Sequence, residues 1–234
     1  MALLSLAVQL RGILCLSSVV AALLVSACGG EPARTHGAGH HRFEAPEEWA
    51  KRFDDPARDE WQRPDVVIAH LKLSSDSKVA DIGAGTGYFA VRISPLVPVG
   101  KVFAVDIEPS MVEYTRERVK KAGLINVSAV LGTTDDPKLP EPVDVALLVD
   151  TYHHIEGREA YFMKLRGSLA PGARLVIVDY KVDEAISGPP MAMRLSAPEV
   201  IDELEAAGYR LTARSEGALP RQYILLFEAL AASK

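Results

Sequence analysis

Residues 81–87 read Asp81-Ile82-Gly83-Ala84-Gly85-Thr86-Gly87 and stand between an apolar run and a segment with helical spacing. The run from Lys78 to Ile82 predicts a buried strand, and the segment from about Gly87 to Leu96 predicts a helix. Three glycines at alternating positions let the backbone turn sharply from strand into helix and let a ligand approach without a side-chain clash. The stretch therefore predicts a ligand-binding loop at the end of a strand.

The spacing of the glycines narrows the class of ligand. A nicotinamide dinucleotide site usually shows G-x-G-x-x-G, and Tyr88 occupies the position of that last glycine here. An acidic residue beside the loop, Asp81, suits a zwitterionic amino-acid tail, which needs a carboxylate as well as amide donors. A pyrophosphate needs amide donors alone. These two features disfavour a nicotinamide oxidoreductase.

The next apolar run, Val102 to Asp106, predicts a second strand that ends in an acid. An acid about twenty residues after a glycine loop, at a strand end, is placed to accept hydrogen bonds from both ribose hydroxyls of a nucleoside. Ile107 and Met111 follow it and are expected to flank the base, although Met111 suits packing between helix and sheet equally well.

Apolar strands alternate with helices through most of the remaining chain, which implies a parallel sheet covered on both faces. Ser196 is expected to cap a late helix, with Pro198 in its first turn and Gly208 at its end. The last two strands are joined by a turn with Gly and Pro, so they are expected to be antiparallel to each other. The further predicted strands are 127–131, 143–150, 174–180, 209–214 and 222–228, and the further helices are 64–71, 109–122, 158–169 and 196–207, with a helix start at 45–49.

Three spaced motifs together resemble the class I S-adenosylmethionine-dependent methyltransferases. They are Val79 to Gly87, Ala104-Val105-Asp106, and Leu169-Ala170-Pro171-Gly172-Ala173-Arg174-Leu175-Val176-Ile177-Val178-Asp179, in which Ala173 replaces a second glycine. The resemblance covers roughly residues 63–228. It implies an α/β fold: a Rossmann-like three-layer sandwich with a seven-stranded, mostly parallel sheet, a C-terminal antiparallel hairpin and N-terminal helices.

The resemblance also implies S-adenosyl-L-methionine as cofactor and assigns residues to it. An acid after the third strand would hold the adenine amino group, and Asp136 is favoured over Asp135 for this role, with both left open. Asp150 would face the methionine end and the substrate. The full set expected at the cofactor is Asp81, Gly83, Ala84, Gly85, Gly87, Asp106, Ile107, Met111, Asp135 or Asp136, and Asp150.

Candidate catalytic residues follow the fourth strand in Asp150-Thr151-Tyr152-His153-His154-Ile155. Ligands of open parallel sheets bind at this edge, and a histidine titrates near neutral pH, so His154 or, second, His153 is a candidate base. Packing is the alternative for both histidines. No metal site is expected, because adjacent histidines lack helical ligand spacing.

Aromatic and basic residues nearby are weaker candidates. Tyr88, Tyr180 and Tyr223 are expected in the core or at the cavity rim, with lining of the pocket as the alternative, and Arg158 in solvent or on a substrate acid. The segment Arg58 to Pro64 is expected to form part of a lid over the cofactor.

The first residues differ from the rest of the chain. Residues 1–27 are strongly apolar and end before Cys28, as in a lipoprotein signal whose cysteine receives a lipid. Residues 28–42, with His36, His40 and His41, predict a tether, and 43–234 the methyltransferase domain. This places the protein at the cell envelope through a lipid anchor; the alternatives are a simple membrane anchor or a cytoplasmic enzyme with a mis-assigned start.

Composition bounds the function further. The two cysteines, Cys15 and Cys28, both precede the domain, so no cysteine nucleophile or Cys-ligated zinc is expected within it. A net charge of −5 with scattered Lys and Arg argues against nucleic-acid binding. No Asn/Asp-Pro-Pro-aromatic motif follows the fourth strand, which favours a small-molecule methyl acceptor. The alternative function is a non-catalytic, membrane-tethered binding protein that keeps the fold; the oligomeric state is left open.

Overall fold

The structure is a computed structural model that describes residues 45–230. The predicted signal, the Cys28 lipidation site and the histidine-bearing tether lie outside these residues. None of the helices within residues 45–230 is long and apolar enough to cross a membrane.

Seven strands form one sheet in the order β3-β2-β1-β4-β5-β7-β6. The first five strands pair in parallel, whereas β7 runs antiparallel to both β5 and β6. The sheet therefore has the predicted Rossmann-like order with a C-terminal antiparallel hairpin. The strands are β1 Lys78–Ile82, β2 Lys101–Asp106, β3 Val127–Leu131, β4 Val143–Val149, β5 Leu169–Tyr180, β6 Tyr209–Ser215 and β7 Gln222–Ala229.

Helices cover both faces of the sheet because side chains of a strand alternate between its faces. On β1, Val79 packs with the helices α3 and α4, whereas Ala80 and Ile82 belong to the opposite core with α6 and α7. The helices are α1 Pro46–Phe53, α2 Arg58–Gln62, α3 Pro64–Leu71, α4 Tyr88–Ile93, α5 Pro109–Lys121, α6 Arg158–Arg166 and α7 Ala197–Ala206. Short 3-10 turns occupy 94–96, 152–154 and 191–193.

Local sequence signals account for the helix ends. Ser196 and Glu199 form a reciprocal capping box at α7, and Gly208 after the helix has φ +88°, as the C-cap signal predicted. In contrast, α6 ends at Arg166 instead of the predicted Leu169. Leu169 already pairs with Val143 as the first residue of β5, and the Pro-Gly motif bulges between this pair and the Val145–Arg174 pair.

Candidate functional site

The glycine loop is in contact with the residues that end or follow β2 and β4 and with α5. Gly83 has φ +74°, and a Cβ there would overlap the side chain of Thr151, which follows β4. The backbone N–H of Gly85 donates to Asp106 Oδ2 at 2.8 Å, and Thr115 Oγ1 donates to the Gly85 carbonyl at 2.8 Å. The loop is thereby fixed to the ends of β2 and β4 and to α5.

A cavity of about 1060 Å³ lies at the carboxyl ends of the parallel strands. Open α/β sheets bind ligands at this edge. Its floor is the glycine loop and the ends of β2 and β4, and its walls include residues of α1, α2 and the segment 187–193. The segment from Arg58 therefore borders the cavity, where the sequence predicted a lid.

The structure brings most of the predicted cofactor residues to this cavity. They are Asp81, Gly83, Ala84, Gly85, Asp106, Ile107, Met111 and Asp150. Gly87 is not among the lining residues; it precedes α4 with φ +82° and lies against Thr115. Its left-handed conformation allows the chain to turn from the loop into α4.

Asp81 is a buried carboxyl that faces the cavity. It is 3% exposed, and its Oδ2 has no hydrogen-bond partner among the described residues. Burial raises the pKa of Asp81 to about 7, against a backbone hydrogen bond from Ala90 and the charge of Arg58, which lower it. An unsatisfied buried oxygen at a cavity wall is a ready acceptor for a cationic ligand group.

Asp106 is fixed by the backbone of the residues around it. One oxygen accepts from Gly85 N–H and the other from Glu108 N–H at 3.0 Å. Burial raises the pKa of Asp106, and these backbone hydrogen bonds oppose the shift. Beside it, Ile107 is 42% exposed at the cavity and Met111 is buried beneath the cavity wall. The pair offers apolar surface next to a hydrogen-bonding carboxylate.

The acids predicted at the adenine group do not line the cavity. Asp135 accepts a hydrogen bond from Lys164 Nζ at 2.8 Å, and Asp136 accepts one from Lys138 Nζ at 2.9 Å. The lining from this loop comes from Gly132, Thr133, Thr134 and Pro137 instead. A bridge between Thr133 and Asp136 closes the turn, and both carboxylates face lysines.

His153 is held by a buried carboxylate. Its Nδ1 lies 2.8 Å from Asp179 Oδ1, and Asp179, which is 2% exposed, also accepts the backbone N–H of Tyr180 at 2.7 Å. Burial opposes a charged imidazole, but the charge and hydrogen bond of Asp179 outweigh it and raise the pKa of His153. His153 also lines the cavity.

His154, the favoured candidate base, lines the same cavity, with its ring centroid 4.2 Å from that of His153. The carboxylate of Asp179 is hydrogen-bonded to His153 and so orients that ring. A base whose far nitrogen is fixed by a carboxylate has its tautomer and direction set, which is the arrangement known from catalytic triads. The sequence favoured His154 over His153 as the base, and both histidines line the cavity.

Asp150 belongs to a buried polar chain that the sequence did not indicate. Gln222 donates to Asp150 Oδ1, Gln62 donates to Gln222 at 2.7 Å, and Arg58 donates to Gln62 at 3.0 Å. Arg58 also lies 4.0 Å from Asp150 Oδ2 and over the ring of Tyr88. Burial and the charge of Asp179 raise the pKa of Asp150 to about 7.

Other predicted residues lie away from the cavity. Tyr223 is buried and donates to the carbonyl of Leu195 at 3.1 Å. Arg158 donates to Glu203 of α7 through two nitrogens, at 2.6 and 2.7 Å. Its charge is therefore paired within the protein. Within residues 45–230, no three His, Cys, Asp or Glu side chains are grouped so as to hold a metal ion.

Asp179 is the main residue that sequence reasoning missed. It ends the third motif, and an acid in an otherwise apolar strand is itself a signal of a buried polar partner. The sequence placed Arg58 only in the expected lid and gave Gln222 no role, because their contacts with Asp150 join segments far apart in the chain.

Comparisons with known proteins agree with this geometry. Residues 79–172 match the family model described as a methyltransferase domain. The fold is similar to a SAM-dependent methyltransferase from Aquifex aeolicus, with a TM-score of 0.73, 31% identity, and coverage of 79% of this chain and 98% of that chain.

Two curated relatives match a shorter stretch. A protein-L-isoaspartate O-methyltransferase of Aeropyrum pernix is 36% identical over 49% of this chain, and a ubiquinone/menaquinone biosynthesis C-methyltransferase of Pseudomonas putida is 30% identical over 51%. The chain spans about half the length of these relatives, 44% and 47%. The names of these two relatives indicate different methyl acceptors.

Proposed function

The chain belongs to the class I S-adenosylmethionine-dependent methyltransferase family, and from that premise we propose that it binds S-adenosylmethionine and transfers its methyl group to a small-molecule acceptor. One observation carries the proposal: a fixed ribose-type carboxylate, Asp106, and an unsatisfied buried carboxylate oxygen, on Asp81, face one cavity on either side of a glycine loop.

The residues present fit this cofactor. Asp106 would accept the ribose hydroxyls, and Ile107 would lie against the adenine. The unpartnered Oδ2 of Asp81 would accept the ammonium of the methionine end, and a cation there would favour the charged form of a carboxyl whose pKa burial raises. Asp150, on the next strand, adds a second acid toward the same end.

When bound, S-adenosylmethionine supplies a methyl group on a positively charged sulfur with a good leaving group. The protein then mainly aligns the acceptor and excludes water. We propose that His153 takes the proton from an acceptor hydroxyl or amine at Nε2, because Asp179 holds its Nδ1. Asp179 acts as the positioning residue, and His154 as a wall of the acceptor space.

We further propose that Cys28 carries a lipid that tethers the domain to the cell envelope. The sequence around it, with small residues after an apolar run, supports this. Metabolic labelling with palmitate should mark the full chain and fail to mark the Cys28→Ser variant. An unlabelled parent chain that is recovered in the cytosol contradicts the proposal.

Transfer is tested by incubating the purified protein with methyl-labelled S-adenosylmethionine and a small-molecule extract of the host. We expect label in a discrete product, and no label in that product with Asp106→Ala. Label on extract proteins alone would assign a macromolecular acceptor, and no transfer by a parent chain that binds the cofactor would contradict enzymatic function.

A further inference from the structure

The edge of the sheet divides the cavity into a cofactor side and a second side. Asp106 and Asp81 follow β2 and β1, whereas Tyr180 ends β5 and Arg221 precedes β7. With β2-β1-β4-β5-β7 as neighbours and about 4.8 Å between strands, Arg221 is roughly 19 Å from Asp106 along this edge. His153 follows β4, between the two sides.

The second side has aromatic walls. The rings of Trp61 and Tyr180 both line the cavity, with centroids 6.0 Å apart at an interplanar angle of 35°. Pro189, Pro190 and Met193 add apolar surface. Arg194 fixes the segment that carries them, because its guanidinium donates to the carbonyls of Pro189, Asp183 and Ile186. The wall is therefore pre-formed.

Arg221 supplies a charge that no residue of the described part of the chain pairs with. Its guanidinium lies 4.8 Å from the centre of the Trp61 ring and lines the cavity, half-buried. Among residues 45–230, it makes no ion pair and donates no hydrogen bond. By comparison, the guanidinium of Arg58 is bound by Gln62 and by the carbonyl of Phe53. The five N–H donors of this guanidinium can bind the carboxylate of a ligand. The aromatic side chains beside it can then stack on an aromatic ring that carries that carboxylate.

Building on the proposed function, we propose that the methyl acceptor is an aromatic acid, with its ring on Trp61 and Tyr180 and its carboxylate on Arg221. The charges along the sheet edge favour this orientation. On the cofactor side, Asp106 and the ionised forms of Asp81 and Asp150 disfavour an anion, whereas Arg221 attracts it to the other side. The end of the ring opposite the carboxylate then faces His153 and the cofactor side.

The inference can be tested by tryptophan fluorescence, because the chain has two tryptophans, Trp49 and Trp61. In a Trp49→Phe background, Trp61 is the sole reporter. We would titrate it with 4-hydroxybenzoate, phenol and cyclohexanecarboxylate, with and without S-adenosylhomocysteine. We expect 4-hydroxybenzoate to quench Trp61 and to bind at least about tenfold more tightly than either partial analogue.

Substitutions distinguish the contribution of the Arg221 charge to binding from that of the contacts with the ligand's ring. Arg221→Gln should weaken 4-hydroxybenzoate about ten- to a hundredfold and leave phenol unchanged, since only the charge-assisted hydrogen bonds are lost. Arg210→Gln is the matched control, because Arg210 pairs with Glu228 away from the cavity, and it should change nothing. Equal melting temperatures of the variants confirm folding.

The outcomes distinguish the two proposals. Equal binding of phenol and 4-hydroxybenzoate, or unchanged 4-hydroxybenzoate binding in Arg221→Gln, overturns the aromatic-acid acceptor. If S-adenosylhomocysteine still binds the same protein by calorimetry, the methyltransferase proposal survives that result. If S-adenosylhomocysteine does not bind but the aromatic acid does, the aromatic-acid site stands and the proposed function fails.

Discussion

The imidazole of His153 is held between Asp179, which binds its Nδ1, and the ring of His154. Transfer to a hydroxyl acceptor requires the neutral imidazole, so kcat/KM should fall as the pH drops through the pKa of His153. Burial lowers that pKa, but the charge and hydrogen bond of Asp179 outweigh burial and place it above the ordinary value of 6.5. The acid limb of the pH profile is therefore expected above pH 6.5.

Substitutions show which residue's titration produces the acid limb of the pH profile. Asp179→Asn should shift the acid limb to lower pH, because the imidazolium loses its stabilising charge, and His153→Gln should lower kcat about a hundredfold or more. His154→Gln is the control and should keep the limb in place. A profile that loses its acid limb in His154→Gln and keeps it in His153→Gln would assign the base to the other ring.

Asp81 links cofactor binding to stability. Its pKa of about 7 in the folded chain exceeds its ordinary value of 3.8, so the folded state binds this proton more tightly than the unfolded state. Stability from this group is full below about pH 4 and is lost as the pH rises through 7. Without ligand, burying the charged form costs free energy at pH 8.

Asp81→Asn should therefore raise the free energy of unfolding at pH 8, by on the order of 2 kcal/mol, and leave it nearly unchanged at pH 4. Denaturant unfolding at the two pH values measures this. The same variant should bind S-adenosylmethionine weakly, because the ammonium loses its carboxylate. Lower stability than the parent at pH 8 would show that the Asp81 charge is already well compensated by the protein.

At the scale of elements, ion pairs fasten α1, α2 and the residues between them over the cavity. Arg118 of α5 binds both oxygens of Asp54 at 2.8 Å and the carbonyl of Thr86 at 2.9 Å. Arg92 of α4 binds Asp59 at 3.1 Å. Arg118 and Arg92 thus join this N-terminal segment to the helices beside the glycine loop.

Asp54→Ala should loosen that segment selectively. Loss of a half-buried ion pair of about 1 kcal/mol should speed amide hydrogen exchange in residues 46–62 about three- to tenfold and leave α6 unchanged. Glu113→Ala, which removes the exposed pair with Arg116 on the same α5, is the control. Equal exchange in all three proteins would show that packing of the segment, rather than this ion pair, keeps the cavity covered.

Most elements could be predicted because local patterns determine them. The bounds of β1 and β3 follow from short runs that are mostly apolar, and those of α3 from Pro64 and its apolar face. The five-residue α2 was missed because it is too short and polar to show a period. The early start of β5 was missed because the Pro-Gly motif, which looked like a helix end, is a bulge that only the pairing with β4 reveals.

At the scale of the whole molecule, the cofactor side of the site was more predictable than the acceptor side. Asp81, the glycines and Asp106 lie within one strand-loop-strand unit, so spacing places them together. Gln62 and Gln222 are 160 residues apart and meet at 2.7 Å only because β7 inserts beside β5. Arg221 likewise reaches the cavity, and Asp179 reaches His153, through the order of strands, which no local pattern encodes.

The central claim is that this cavity binds S-adenosylmethionine through Asp106 and the glycine loop, and calorimetry of the purified protein tests it most directly. We predict one-to-one binding of S-adenosylmethionine or S-adenosylhomocysteine at micromolar affinity, weakened at least about a hundredfold in Asp106→Ala, which loses both the ribose contacts and the brace on Gly85. A folded parent chain that binds neither compound would contradict the account.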